Sequence, residues 1–212
     1  MYAVVDVETT GLDPVSDRII DIGVIIADNN AQPVEHYTTR INPLRPVDAT
    51  FIHGLTDADL ADSPTFEDIV QELADLLNGN ILVAHNASFD AKFLRAAFER
   101  AGYTAIIDSH TSVCTMDQSR IYLPEGSHKL LACVERAGVP SRPAHRGLAD
   151  TQCALELFQH YRNAEHLGQR HTQSALNRHE ETVLPAAWTR AKPMRITTNY
   201  ELRQNQHRAS QP

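Results

Sequence analysis

The feature that most constrains this chain is the stretch Val4-Val5-Asp6-Val7-Glu8-Thr9-Thr10-Gly11-Leu12. Its β-branched apolar run reads as a buried strand, yet Asp6 and Glu8 interrupt it. Residues two apart on a strand share a face, so both carboxylates project side by side from an otherwise apolar sheet. Like charges that close repel, and burial raises the cost. An edge strand with both acids in water would relieve it, as would one protonated carboxyl. A divalent cation such as Mg²⁺ or Mn²⁺ does so better, because it prefers hard oxygen ligands. Gly11 then ends the strand, and its missing side chain leaves room for a ligand to approach the carboxylates.

The segments that follow predict the architecture. Residues 13–17 form a turn, and residues 18–27 are the longest β-branched run in the chain, which makes them a central strand. Asp28-Asn29-Asn30-Ala31 is a hairpin signal, and residues 33–40 give a more polar strand suited to an edge. Strands joined by such short turns make an antiparallel meander. Thr56 or Asp57 can cap a short helix. Ser63-Pro64-Thr65-Phe66 opens another that runs to about Leu77, with Phe66, Ile69, Val70, Leu73 and Leu76-Leu77 on one face. Residues 81–85 are a short buried strand reached by a helical crossover and so parallel to the first. Asn86 can cap a helix over 87–101 that Gly102 closes. A β-like piece over 105–113, a weak helix over 114–122, and helices over 129–137 and 147–161 complete the pattern. A meander followed by crossovers predicts an α/β domain with a mixed sheet.

At 212 residues the chain has room for one well-buried core plus an extension. The boundary falls at residue 162. Of the 19 Lys+Arg and 27 Asp+Glu, 11 and 23 lie in residues 1–161, so the domain is acidic and the extension, residues 163–212, is basic and polar. That extension reads as partly flexible or ordered by a partner, with Trp188 either packed back on the domain or serving as a docking anchor. An acidic domain attracts a polyanion poorly through its long-range field, so bound metal would have to supply local attraction. No apolar run is long enough to span a bilayer and no basic leader precedes the first strand, which predicts a cytoplasmic protein without a membrane partner. Cys114, Cys133 and Cys153 lack metal-ligand spacing and are assigned no chemistry.

Two further acids stand near helix starts, Asp90 after Asn86-Ala87-Ser88-Phe89 and Asp150 five residues after His145. Taken singly, each is the first-turn charge that a helix dipole favours. In order, however, Asp6-x-Glu8-Thr9-Thr10-Gly11, Asn86-x-x-Phe89-Asp90 and His145-x-x-x-x-Asp150 resemble the three motifs of the DEDDh exonucleases. That family includes the proofreading subunit of bacterial replicative DNA polymerase and ribonuclease T. The resemblance covers roughly residues 2–162.

The resemblance implies a ribonuclease H-like fold, a mixed five-stranded sheet flanked by helices, and a 3′ to 5′ exonuclease using two divalent metal ions, Mg²⁺ or Mn²⁺. Asp6 would bridge both ions, Glu8 and Asp150 would complete the site nearest the attacking water, and Asp90 would support the other. His145 would be the general base, kept neutral by the neighbouring cations. Thr9, Thr10, Gly11, Leu12, His53, His85, Asn86 and Phe89 would hold the 3′ end, with Leu12 and Phe89 packed on the base unless they are core residues. His110, His128 and the histidines of the tail read as solvated. The partner implied is a nucleic acid 3′ end, DNA in preference to RNA, cut to nucleoside 5′-monophosphates in proofreading or repair. An exoribonuclease for tRNA ends or short oligoribonucleotides shares these motifs. A scaffold that docks a DNA polymerase or a sliding clamp through the tail is the reading from another class; Gln173-Ser174-Ala175-Leu176 faintly resembles a clamp ligand.

Overall fold

The β-branched runs at the start of the chain form strands β1 (Tyr2–Thr9), β2 (Ile19–Ala27) and β3 (Pro33–Arg40), an antiparallel meander as the turns predict. The fold is that of a computed structural model, which describes residues 1–47, 50–140 and 147–198 apart from the side chains of Phe51 and Ile52. Short helices α1 (Thr50–His53) and α2 (Asp57–Leu60) cross to α3 (Phe66–Leu77). Thr56 and Thr65 begin α2 and α3 with reciprocal capping boxes to Asp59 and Asp68. Next come β4 (Ile81–Ala84), α4 (Ala87–Arg100), β5 (Tyr103–Ile106), β6 (Val113–Cys114), α5 (Thr115–Tyr122), α6 (Leu130–Arg136) and α7 (Gly147–His166). Strands β7 (Ala175–Leu176), β8 (Thr182–Val183) and β9 (Arg195–Thr198) follow.

The main sheet has five strands in the order β3-β2-β1-β4-β6, with β4 parallel to β1 and β6 parallel to β4. Val5 and Val7 on one face of β1 share a core with α3 and α4, whereas Val4 on the other face packs with Phe158 of α7. Asp6 and Glu8 follow Val4 on the α7 face by the two-residue period. Pairing of β1 with β4 runs only from Tyr2↔Ile81 to Val4↔Val83, so the second half of β1 overhangs its parallel neighbour. The open edge thus created lies beside the two acids.

Helix α7 lies close against β2 because two glycines meet there. A Cβ on Gly23 would stand 2.4 Å from the carbonyl of Gly147, and the Gly147 N–H donates to Asp21 Oδ2 at 3.3 Å. This contact carries the first turn of α7, with Asp150, onto the sheet face that holds Asp6.

The extension differs from its sequence reading. Helix α7 continues to His166, five residues past the expected end, and residues up to 198 pack on the domain. Trp188 stacks edge-on to Phe158 with 5.7 Å between ring centroids, so it packs back on the core. Met194 and Ile196 are buried with α3 and α4, and β9 pairs with β5 from Tyr103↔Thr198 to Ile106↔Arg195. The clamp-like stretch Gln173-Ser174-Ala175-Leu176 runs into β7 of a hairpin with β8, not a free linear segment. Residues 199–212, the rest of the expected tail, lie outside the described residues. Among the described residues no helix is long and apolar enough to cross a membrane.

Candidate active site

Three elements deliver four carboxylates to the open edge of β1. Asp6 and Glu8 come from β1 itself and Asp150 from α7, and ligand oxygens of these residues lie within 4.8 Å of one another. Asp90 arrives from the first turn of α4, nearly buried, and its Oδ1 accepts the Val7 N–H at 3.3 Å. That donor lies beyond the last β4 pair, so Asp90 fills a backbone position that the short strand leaves open.

Sequence reasoning missed Asp21. It stands opposite Glu8 in the β1–β2 register, and its charge pushes up the pKa of both Asp6 and Glu8. The signal was available, since Asp21 interrupts the apolar run of β2 as Asp6 interrupts that of β1.

The electrostatics of this cluster are set by burial and by like charges. Burial, then the charges of Asp90, Asp150, Glu8 and Asp21, hold the Asp6 carboxyl well above the usual carboxylate range. Burial and the charges of Asp150 and Asp21 push Glu8 up to about 7. Burial likewise raises Asp90 to about 7, opposed by backbone N–H groups that include Val7. Desolvated, mutually repelling hard oxygen donors fit a divalent cation, which offsets their repulsion and takes such ligands by preference.

The flanking residues divide. Leu12 is 80% exposed, so it is no core residue and its side chain is free to meet a ligand. Phe89 is half-buried and packs on Phe93 at 4.8 Å, which makes it partly a core residue. Thr9 Oγ1 donates to the Gly11 carbonyl at 2.6 Å and Thr10 Oγ1 to Asp17 Oδ1 at 3.0 Å, so both hydroxyls shape the turn after β1. Gly11 owes its small size to that turn, because a Cβ there would stand 2.4 Å from the Asp17 carboxylate. His53 is buried, accepts the Leu55 N–H on Nδ1, and lines a cavity of about 590 Å³ with Asp21, which brings it beside the acid cluster.

His85, expected to meet the terminal nucleotide, has its ring engaged within the protein. It is buried, with Nδ1 3.0 Å from Thr115 Oγ1 and Nε2 2.9 Å from the His128 carbonyl, so both ring nitrogens are spent inside the protein. Burial lowers its pKa to about 4, which keeps the ring neutral. His128, expected in solvent, belongs to the same network through Ser119 Oγ at 2.7 Å. Asn86 precedes α4 without capping it; its Oδ1 instead accepts from Ser88 Oγ and from Arg178 Nη2 at 2.8 Å. His145, the expected base, lies outside the described residues.

Residues 3–158 match the family model RNase_T, described as Exonuclease. A DNA polymerase III PolC-type from Caldanaerobacter subterraneus subsp. tengcongensis is 31% identical over 160 residues, which cover 74% of this chain and only 11% of that protein. E. coli exonuclease I in complex with a dT13 oligonucleotide shares the fold, with a TM-score of 0.67 and 18% identity over 79% of this chain and 42% of that one. Exonuclease X in complex with 5′ overhanging duplex DNA is 25% identical, with a TM-score of 0.58, covering 79% of this chain and 93% of that one. The common architecture is the ribonuclease H-like mixed sheet flanked by helices.

Proposed function

We propose that this chain, which belongs to the DEDD exonuclease family, hydrolyses single-stranded or frayed DNA from the 3′ end to nucleoside 5′-monophosphates with Mg²⁺ or Mn²⁺. The main support is the convergence of Asp6, Glu8 and Asp150 within 4.8 Å on a desolvated edge, with Asp90 beside them. Two divalent ions about 4 Å apart, when bound, would generate the nucleophile and stabilise charge on the leaving oxygen. Asp6 would lie between the two positions, Glu8 and Asp150 would serve the one nearest the attacking water, and Asp90 the other. His145 would take the proton of that water, and its spacing to Asp150 is the basis for the assignment. Leu12 and Phe89 would pack on the terminal base and His53 would meet the terminal nucleotide. Thr9, Thr10, Gly11 and Asn86 would act mainly by fixing the loops around it.

The deoxyribose preference and a polymerase partner are proposed from relatives whose names are those of DNA enzymes and of a polymerase. Digestion of matched single-stranded DNA, mismatched duplex and RNA, each labelled so that products from either end are resolved, tests the reading. Stepwise loss of 5′-monophosphates from DNA 3′ ends is expected, abolished by Asp6→Ala or Asp150→Ala with the fold retained. Faster digestion of RNA, or full activity in either variant, would overturn it. Co-purification of a polymerase subunit with the full chain would test the partner.

A further inference from the structure

The family match ends at residue 158, yet part of the chain beyond it returns to the catalytic edge. The β7–β8 hairpin is anchored at its base, where Val183 is buried and Gln118 Nε2 donates to the Leu184 carbonyl at 3.0 Å. Its tip is equally fixed. Asn177 Oδ1 accepts the N–H groups of His179 at 2.9 Å and Glu181 at 3.0 Å, and Glu180 turns the chain at φ 62°. This turn presents Arg178, whose Nη2 donates to Asn86 Oδ1 at 2.8 Å and Ser88 Oγ at 3.2 Å across the start of α4.

Ligands of open α/β sheets bind outside the carboxyl ends of the parallel strands. Here the acid cluster takes the end of β1, and the same edge continues past β4 and β6 as a cavity of about 360 Å³. Asn86, Ser88, His110, Met116, Arg178 and Leu184 line it. Polar groups and apolar side chains thus stand together, as a nucleotide requires. Arg178 is exposed and holds neutral oxygens, an amide and a hydroxyl, so exchanging them for an anionic phosphate oxygen is favourable. Asp117 and Glu181 also line the cavity, which confines phosphate binding to the neighbourhood of Arg178.

We propose that this groove binds the substrate strand on the 5′ side of the scissile phosphate, with Arg178 releasing Asn86 to hold a phosphate of that strand. The inference rests on the exonuclease reading above. In a domain of acidic balance, a cation on a fixed turn supplies the local attraction that the overall field withholds. The hairpin makes strand length, and not only the 3′ terminus, part of recognition.

The test is steady-state hydrolysis by wild type, Arg178→Ala and Arg178→Lys over a salt series. The substrates are a single-stranded oligodeoxythymidylate and the p-nitrophenyl ester of thymidine 5′-monophosphate, which has no strand beyond the scissile phosphate. Arg178→Ala should raise KM for the oligomer roughly tenfold with kcat retained, as loss of a charged hydrogen bond implies. The log–log salt dependence should flatten by about 0.7, the value for one phosphate on a single strand. The lysine variant should restore that slope but only part of KM, because it lacks the planar fork. Equal losses on ester and oligomer, or unchanged KM and slope, would overturn the proposal. If wild type cleaves neither substrate, the exonuclease reading itself fails; if it cleaves both and the slope is unmoved, only this inference does.

Discussion

Replacing Glu8 by glutamine removes one charge from the acid cluster while keeping its shape, and the consequence for stability has a definite sign. Burial and the charges of Asp150 and Asp21 raise the Glu8 pKa from 4.5 to about 7. The folded chain therefore holds this proton longer than the unfolded chain does. The resulting penalty is absent below the unfolded value, grows between pH 4.5 and about 7, and is complete above. At about 1.4 kcal/mol per pH unit it amounts to about 3 kcal/mol in the metal-free protein. Metal-free Glu8→Gln should therefore melt roughly 6–12 °C above wild type near pH 8 and nearly with it near pH 4. A divalent cation closes most of that gap, because ligand at about a hundred times its Kd adds about 2.7 kcal/mol to the form that binds it. Calorimetric melting in chelator and in Mn²⁺ at both pH values is the assay. A variant that melts at or below wild type in chelator near pH 8, or a gap that does not shrink at acid pH, would refute the reasoning.

Three other substitutions probe what holds the site in place. Gly23→Ala puts a Cβ 2.4 Å from the Gly147 carbonyl, so α7 must shift; about 1–3 kcal/mol of stability should be lost. Asp150 moves with that helix, and kcat should fall on the order of a hundredfold, measured below the melting transition. Trp188→Ala opens the contact with Phe158 and Tyr122 and should cost about 3 kcal/mol in urea unfolding; an unchanged midpoint would mean that the extension is not part of the core. His85→Ala strands Thr115 Oγ1 and the His128 carbonyl, which should cost about 1–3 kcal/mol while KM for DNA stays near wild type. A large rise in KM without a stability loss would return His85 to the substrate.

What the sequence made legible was local anomaly. Two acids in an apolar β-branched strand are improbable without a purpose, and the meander, the capping boxes at Thr56 and Thr65 and the parallel β4 follow from turn and cap chemistry within a few residues. The parts that stayed hidden depend on distant partners. Asp21 has meaning only through the register that sets it opposite Glu8, and His85 only through Thr115 and His128, which lie 30 and 43 residues away. How the extension packs was not legible because its buried residues Val183, Met194 and Ile196 and the core-packed Trp188 are few and irregularly spaced. Val183 and Trp188 pack on one part of the domain and Met194 and Ile196 on another, so no single periodicity links them.

The site itself follows from a mismatch of lengths. β1 has eight residues and β4 four, and the ladder between them stops at Val4. Had β4 continued, its backbone would have covered the edge that Asp90 now reaches, and the Val7 N–H would have gone to a carbonyl instead of a carboxylate. The Gly23–Gly147 contact then brings α7 close enough for Asp150 to join Asp6 and Glu8 from the same face. Both devices act through backbone, one by ending a ladder and one by removing side chains. Repulsion among the gathered acids is thus opposed by the sheet and by a helix docked on it. Because both devices are built in backbone, neutralising the acids one at a time should leave the fold intact, which melting of Asp6→Asn and Asp150→Asn beside wild type would check.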